Sequence, residues 1–134
     1  MNVRKAMALV LMTVSMAVAA ATESQQVTVD LEALQRNAEA GDRVAQYNMG
    51  VLHETGQHGV VLDKAEAVRW YRKSAEQGYE NAQYNLGVMY LRGDGVAQDR
   101  ETAVHWLRLA ADQLNPAAMA ALEKLGVEPN AAGQ

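Results

Sequence analysis

The chain has 134 residues, almost half of them apolar, a net charge of −4 and no cysteine. That is room for one domain with a real core. The acidic balance, without a Lys/Arg cluster to neutralise phosphates, disfavours nucleic acid and anionic membrane surfaces as partners. The absence of cysteine removes disulfide, thiolate and Cys-ligated metal chemistry, so stability must come from packing.

Residues 1–21 begin with Arg4 and Lys5, continue through an apolar run from Ala6 to Val14, and end in small residues with two Ala-x-Ala frames, at Ala19 and Ala21. This pattern reads as a secretory signal peptide, with cleavage expected before Thr22; a membrane-spanning helix would want about 20 apolar residues. The expected compartment is therefore the periplasm or the secreted space. Without a cysteine after the signal, lipid anchoring is disfavoured, and no stable membrane insertion is expected once the signal is removed. Residues 22–29 read as a flexible lead-in.

Order is expected over residues 30–125. Asp30 can cap the run Leu31–Ala40, in which Leu31, Leu34 and Ala38 share a face and Gly41 supplies the terminating left-handed residue. This helix looks like the second half of a unit whose first half is missing. The next helix, Asp42–Thr55, carries Ala45, Met49, Leu52 and His53 on the face that Ala82, Leu86, Met89 and Tyr90 occupy in a later copy. Laying Ala38–Gly56 over Ala75–Gly93 gives ten identities in nineteen positions, so the chain is built of repeats.

Both copies hold a glycine in mid-helix, Gly50 and Gly87, each costing about 1 kcal/mol relative to alanine. Close approach of a second helix is the expected reason, with Trp70 and Trp106 as candidates to fill the contact. Turns with Gly56 and Gly59, then Gly93 and Gly95, precede Asp63 and Asp99, which should cap the helices Lys64–Gln77 and Arg100–Gln113. Asp63 and Glu66 form a candidate capping box. These second helices are amphipathic, with Ala67, Trp70, Tyr71, Ser74 and Ala75 on one face, then Ala103, Trp106, Leu107, Ala110 and Ala111. Gly78 closes the first, but Leu114 stands at the matching place in the second. Pro116 suits the first turn of a last helix reaching about Leu125, with Ala118, Leu122 and Leu125 as its apolar face. The tail, residues 126–134, is expected to be disordered.

The segments AQYNMGVLHETGQHGVVLDKAEAVRWYRKSAEQG and AQYNLGVMYLRGDGVAQDRETAVHWLRLAADQ resemble the Sel-one-like repeat family, a relative of the tetratricopeptide repeats. The resemblance covers roughly residues 38–122. It implies an all-α fold, a short right-handed α-solenoid of antiparallel helix pairs with two full repeats and capping helices, acting as a protein-binding adaptor without catalysis. Carried over by register, it places Asn81, Tyr84, Val88, Leu91 and Arg92 on the concave side of the second unit. In the first unit it selects Val44, Tyr47, Val51, Glu54 and Thr55. Aligned tyrosines with apolar and charged neighbours could anchor a protein or peptide partner, or could serve packing between helices.

Little in the chain suggests chemistry. His53 and His58 are five apart across a helix end, which does not stack two imidazoles, and no further ligand completes a metal set. His105 follows Glu101 by one turn, an ordinary surface pairing. Ser74 lies mid-helix without a base. The glycine-rich turns lack a phosphate-loop signature and a preceding strand. No cofactor is expected. An exported adaptor is the leading reading, an inhibitor or immunity-type protein that neutralises an enzyme or toxin is the second, and self-association would complete so short an array.

Overall fold

The computed structural model describes residues 29–129. The signal peptide assigned to residues 1–21, most of the lead-in and the end of the tail lie outside the described residues. Among them are six helices: α1 (Leu31–Glu39), α2 (Arg43–Thr55), α3 (Lys64–Glu76), α4 (Glu80–Arg92), α5 (Arg100–Asp112) and α6 (Pro116–Lys124). Helices α2 and α3 pair, as do α4 and α5, and α3 packs on α4 and α5 on α6. The result is a solenoid of two helical hairpins flanked by a helix at each end.

Three of the four hairpin helices start from a side-chain cap, and α4, with Tyr79 at its N-cap, does not. Asp42 accepts from Ala45 N–H, Asp63 from Glu66 N–H, and Asp99 from the N–H groups of Glu101 and Thr102. The capping box at Asp63 is only half formed. Asp63 N–H bonds the His53 carbonyl at 2.8 Å, and the Glu66 carboxylate turns to Arg69 at 2.7 Å. The glycines at 56, 59, 93 and 95 all take positive φ, as the turn sequences imply.

The two mid-helix glycines do admit a close neighbour, though not the expected tryptophans. A Cβ on Gly50 would meet the ring of Tyr71 at 2.5 Å, and one on Gly87 would meet Leu107 Cγ at 2.9 Å and the Ala103 carbonyl at 3.2 Å. Tyr71 and Leu107 follow the tryptophans by one residue and are fully buried. Trp70 instead lies under the Lys73 ammonium, 4.3 Å from its ring centre, and Trp106 packs on the edge of the core.

A polar relay runs through the stack. Buried Gln46 donates to the Ala38 carbonyl at 3.1 Å and accepts from Gln77 Nε2 at 2.7 Å, which also donates to Gly41 at 3.0 Å. One repeat later, Gln83 donates to Ala75 at 3.2 Å and accepts from Gln113 at 2.9 Å, which also reaches the Gly78 carbonyl at 2.9 Å. Ala38 of α1 thus stands where Ala75 of α3 stands, and α1 takes the place of a second helix from a preceding unit.

The backbone keeps the repeat where the sequence loses its glycine. Leu114 adopts φ +64°, close to the +83° of Gly78. The same two turn bonds close both helices, to Ala75 and Ser74 in one and to Ala111 and Ala110 in the other. Left-handed backbone costs a side chain roughly 1–2 kcal/mol. Because Leu114 is 78% exposed, it recovers little by burial. Leu114→Gly is therefore expected to raise stability by about 0.5–1 kcal/mol, read as a higher urea midpoint with an unchanged slope.

Candidate functional site

The ten residues that register places on the concave side do not form one row. Tyr47 and Val51 pack on the core cluster centred on Tyr71 and Leu86. The Tyr47 ring lies 5.7 Å from that of Tyr71 and 5.3 Å from that of Tyr79, edge-on to the latter. Glu54 accepts a 2.5 Å hydrogen bond from the Tyr71 hydroxyl, so its carboxylate is committed within the hairpin. Asn81 accepts from Asn115 Nδ2 at 3.2 Å and reaches the Tyr79 hydroxyl at 3.4 Å, bridging the bases of α4 and α6. Of the further first-unit positions, Val44 is exposed, and Thr55 returns its hydroxyl to the Val51 carbonyl.

The other four do come together. Tyr84, Val88, Leu91 and Arg92 of α4 face Ala117, Ala120, Ala121 and Lys124 across a groove of about 360 Å³. Its origin is a change in side-chain size. Counting from the N-caps Tyr79 and Asn115, Ala117, Ala120 and Ala121 stand where Asn81, Tyr84 and Asn85 stand in α4. At the junction of α2 with α4 one of those larger groups, Asn85, hydrogen-bonds Tyr47. At the junction of α4 with α6 three alanines replace them, and the space stays open. The backs of Tyr84 and Leu91 rest on the cluster formed by Leu107, Ala110, Ala118 and Leu122, which fixes the groove wall. Arg92 and Lys124 supply its charge.

The Sel1 repeat pattern matches residues 43–79 and 81–113, more than half of the chain. The chain belongs to the Sel1 repeat family. Sel1 repeat proteins are generally protein-interaction scaffolds and typically non-catalytic. Among solved structures, the chain is similar to a protective antigen present in uropathogenic Escherichia coli strains displaying an SLR fold, with 40% identity and a TM-score of 0.68. It is similar also to a Sel1 repeat protein from Oxalobacter formigenes, with 42% identity and a TM-score of 0.67. These matches cover 70% and 69% of this chain but 20% and 26% of the others, so it spans between a fifth and about a quarter of their lengths. No curated protein matches it.

Two features of these Sel1 repeats escaped sequence reasoning. Gln46 and Gln83 belong to the repeated AQYN, yet their partners lie eight residues back and about thirty ahead, out of reach of any local pattern. The Tyr71 and Glu54 pair has no counterpart in the second unit, where Leu107 and Leu91 stand at those places. Burial pushes the Tyr71 phenol well above the usual value near 10, and the Glu54 carboxylate pushes it the same way, against a hydrogen bond with Asn85. Tyr47 moves upward too, chiefly through burial.

The folded protein therefore resists ionising these phenols more than the unfolded chain does. Their contribution to stability is intact below about pH 10 and is lost as the pH rises beyond it, where only the unfolded chain readily gives up the protons. Urea midpoints measured between about pH 8 and pH 11 should fall in the upper part of that range, and Tyr71→Phe should flatten the fall.

Proposed function

We propose that this Sel1 repeat protein is an exported, non-catalytic adaptor that holds a partner protein in the groove between α4 and α6. The observation that carries the reading is the convergence there of Tyr84, Val88 and Leu91 with the cations Arg92 and Lys124. An apolar floor with two like charges at its side suits an extended segment with small apolar side chains and an acid. Tyrosine presents a large contact area at low entropic cost, which favours it as the anchor.

Export is supported by Arg4 and Lys5, the apolar run after them and the small residues before Thr22. Among the described residues no helix is long and apolar enough to cross a membrane. The absence of catalysis is supported by the surroundings of the histidines. His53 Nδ1 lies 3.3 Å from the Val61 carbonyl, and the His105 ring stands edge-on to Trp106 at 5.4 Å.

The test is affinity capture from the exporting cell with the secreted protein as bait, alongside its Ala120→Tyr variant. That change restores the side chain of Tyr84 at its matching position and fills the groove without removing any core contact. The bait should begin at Thr22 by mass spectrometry. Partners held by the wild type should be lost from a variant whose melting temperature is unchanged or raised. Equal capture by both would refute the groove, and a bait retained in the cytoplasm with residues 1–21 intact would refute export.

A further inference from the structure

Successive repeats also meet through a second contact, and the first junction shows it complete. The start of α3 carries the turn of the following repeat. Gly95 lies so close to this helix that a Cβ on it would collide with the carbonyl of Lys64 and with Ala65 N. Around that contact Lys64 Nζ pairs with Asp94 at 3.2 Å, and Arg72 Nη2 donates to the Tyr90 hydroxyl at 2.6 Å. Val68 is buried in the cluster against which Tyr90 and Val96 pack. The surface of α3 is therefore a seat for the segment Tyr90–Val96, and it reads a phenol, a carboxylate and a small apolar side chain.

Helix α5 repeats the seat. Counted from the caps Asp63 and Asp99, Arg100, Val104 and Arg108 stand where Lys64, Val68 and Arg72 stand. The cover is different. Helix α6 ends at Lys124, about one turn earlier than α4 ends in its own unit, and Gly126 stands at the position of Tyr90. An open cavity of about 770 Å³ results, bordered by Val104, Leu109, Val127, Arg100, His105, Arg108 and one acid, Glu101. Arg100 reaches the Leu125 carbonyl at 2.9 Å. Arg108 Nε is buried without a hydrogen-bond partner among the described residues.

We propose that the α5 seat docks a turn of a partner protein that presents a tyrosine and, four residues later, an acid, as Tyr90 and Asp94 do within this chain. The phenol oxygen accepts from Arg108, the acid pairs with Arg100 and a small apolar residue covers Val104. As Arg72 donates from Nη2, so the Arg108 guanidinium meets the phenol through its terminal nitrogens; its Nε is buried and takes no part in the contact. Two guanidinium groups and an imidazole against one carboxylate make the seat complementary to an acid. A second copy of this chain fits poorly. Its own Tyr90–Val96 segment is already seated on α3, and its other turn offers His53 and His58 where Tyr90 and Asp94 stand. This docking is independent of the groove between α4 and α6.

The probe is the peptide of residues 88–97, acetylated and amidated, titrated into the isotope-labelled protein and followed by amide NMR shifts. Saturable shifts are expected along α5 around Val104, Arg108 and Leu109. A peptide carrying both Tyr90→Phe and Asp94→Asn should bind roughly tenfold more weakly, as charge-assisted hydrogen bonds imply. Arg108→Ala in the protein should have a comparable effect, with folding checked by circular dichroism. Because the substituted peptide is compared on the unaltered protein, the test does not depend on that variant folding. No saturable shift, shifts confined to the groove between α4 and α6, or equal binding of the two peptides would each overturn the proposal.

Discussion

Two buried glutamine side chains set the geometry on which the rest of this solenoid depends. An amphipathic helix pair can cover its apolar face only with a neighbour, and apolar packing alone leaves the register between neighbours loose. Gln46 and Gln83 remove that freedom. Each satisfies a carbonyl near the end of the preceding second helix and accepts from a glutamine at the end of the following one, so three successive helices meet at one amide. A buried amide left unmatched costs about 1–3 kcal/mol, which makes other registers expensive. Within the register so fixed, Gly50 receives the Tyr71 ring and Gly87 receives Leu107.

The same positions change in α6. In α6, Met119 stands at the place of Gln83 and is 42% exposed, and Glu123 stands at the place of Gly87. Without the amide there is no relay to a further unit. With a carboxylate where the glycine was, a further second helix cannot approach as Tyr71 and Leu107 do. The changes in α6 open both candidate surfaces: three alanines leave the groove beside Tyr84, and the shortness of α6 leaves Arg108 without a counterpart of Tyr90. The two proposed surfaces therefore gather beside α6 rather than along a uniform concave face.

Much of the fold was legible because it rests on local rules that repeat. Asp42, Asp63 and Asp99 announce helix starts, the glycines announce turns, and the alanine and leucine spacing marks the buried faces. Other features were not legible, each for a physical reason. Trp70 and Tyr71 are adjacent on a helix, about 100° apart, and periodicity cannot decide which of two neighbours meets a glycine. Left-handed backbone at Leu114 runs against the preference of its side chain, so the missing glycine hid a turn that the chain makes all the same. Register grouped Tyr84, Val88, Leu91 and Arg92, which line one groove, whereas Tyr47, Glu54 and Asn81 are engaged by Tyr71, Tyr79 and Asn115, groups distant in sequence.

The most direct test of the relay is a double-mutant cycle on Gln83 and Gln113, read by urea unfolding. Removing either should cost about 1–3 kcal/mol, since each leaves buried partners unsatisfied. The pair removed together should cost less than the sum of the two, with a coupling of about 1 kcal/mol or more. Strict additivity, within about 0.5 kcal/mol, would mean that the two amides act independently and that packing alone sets the register.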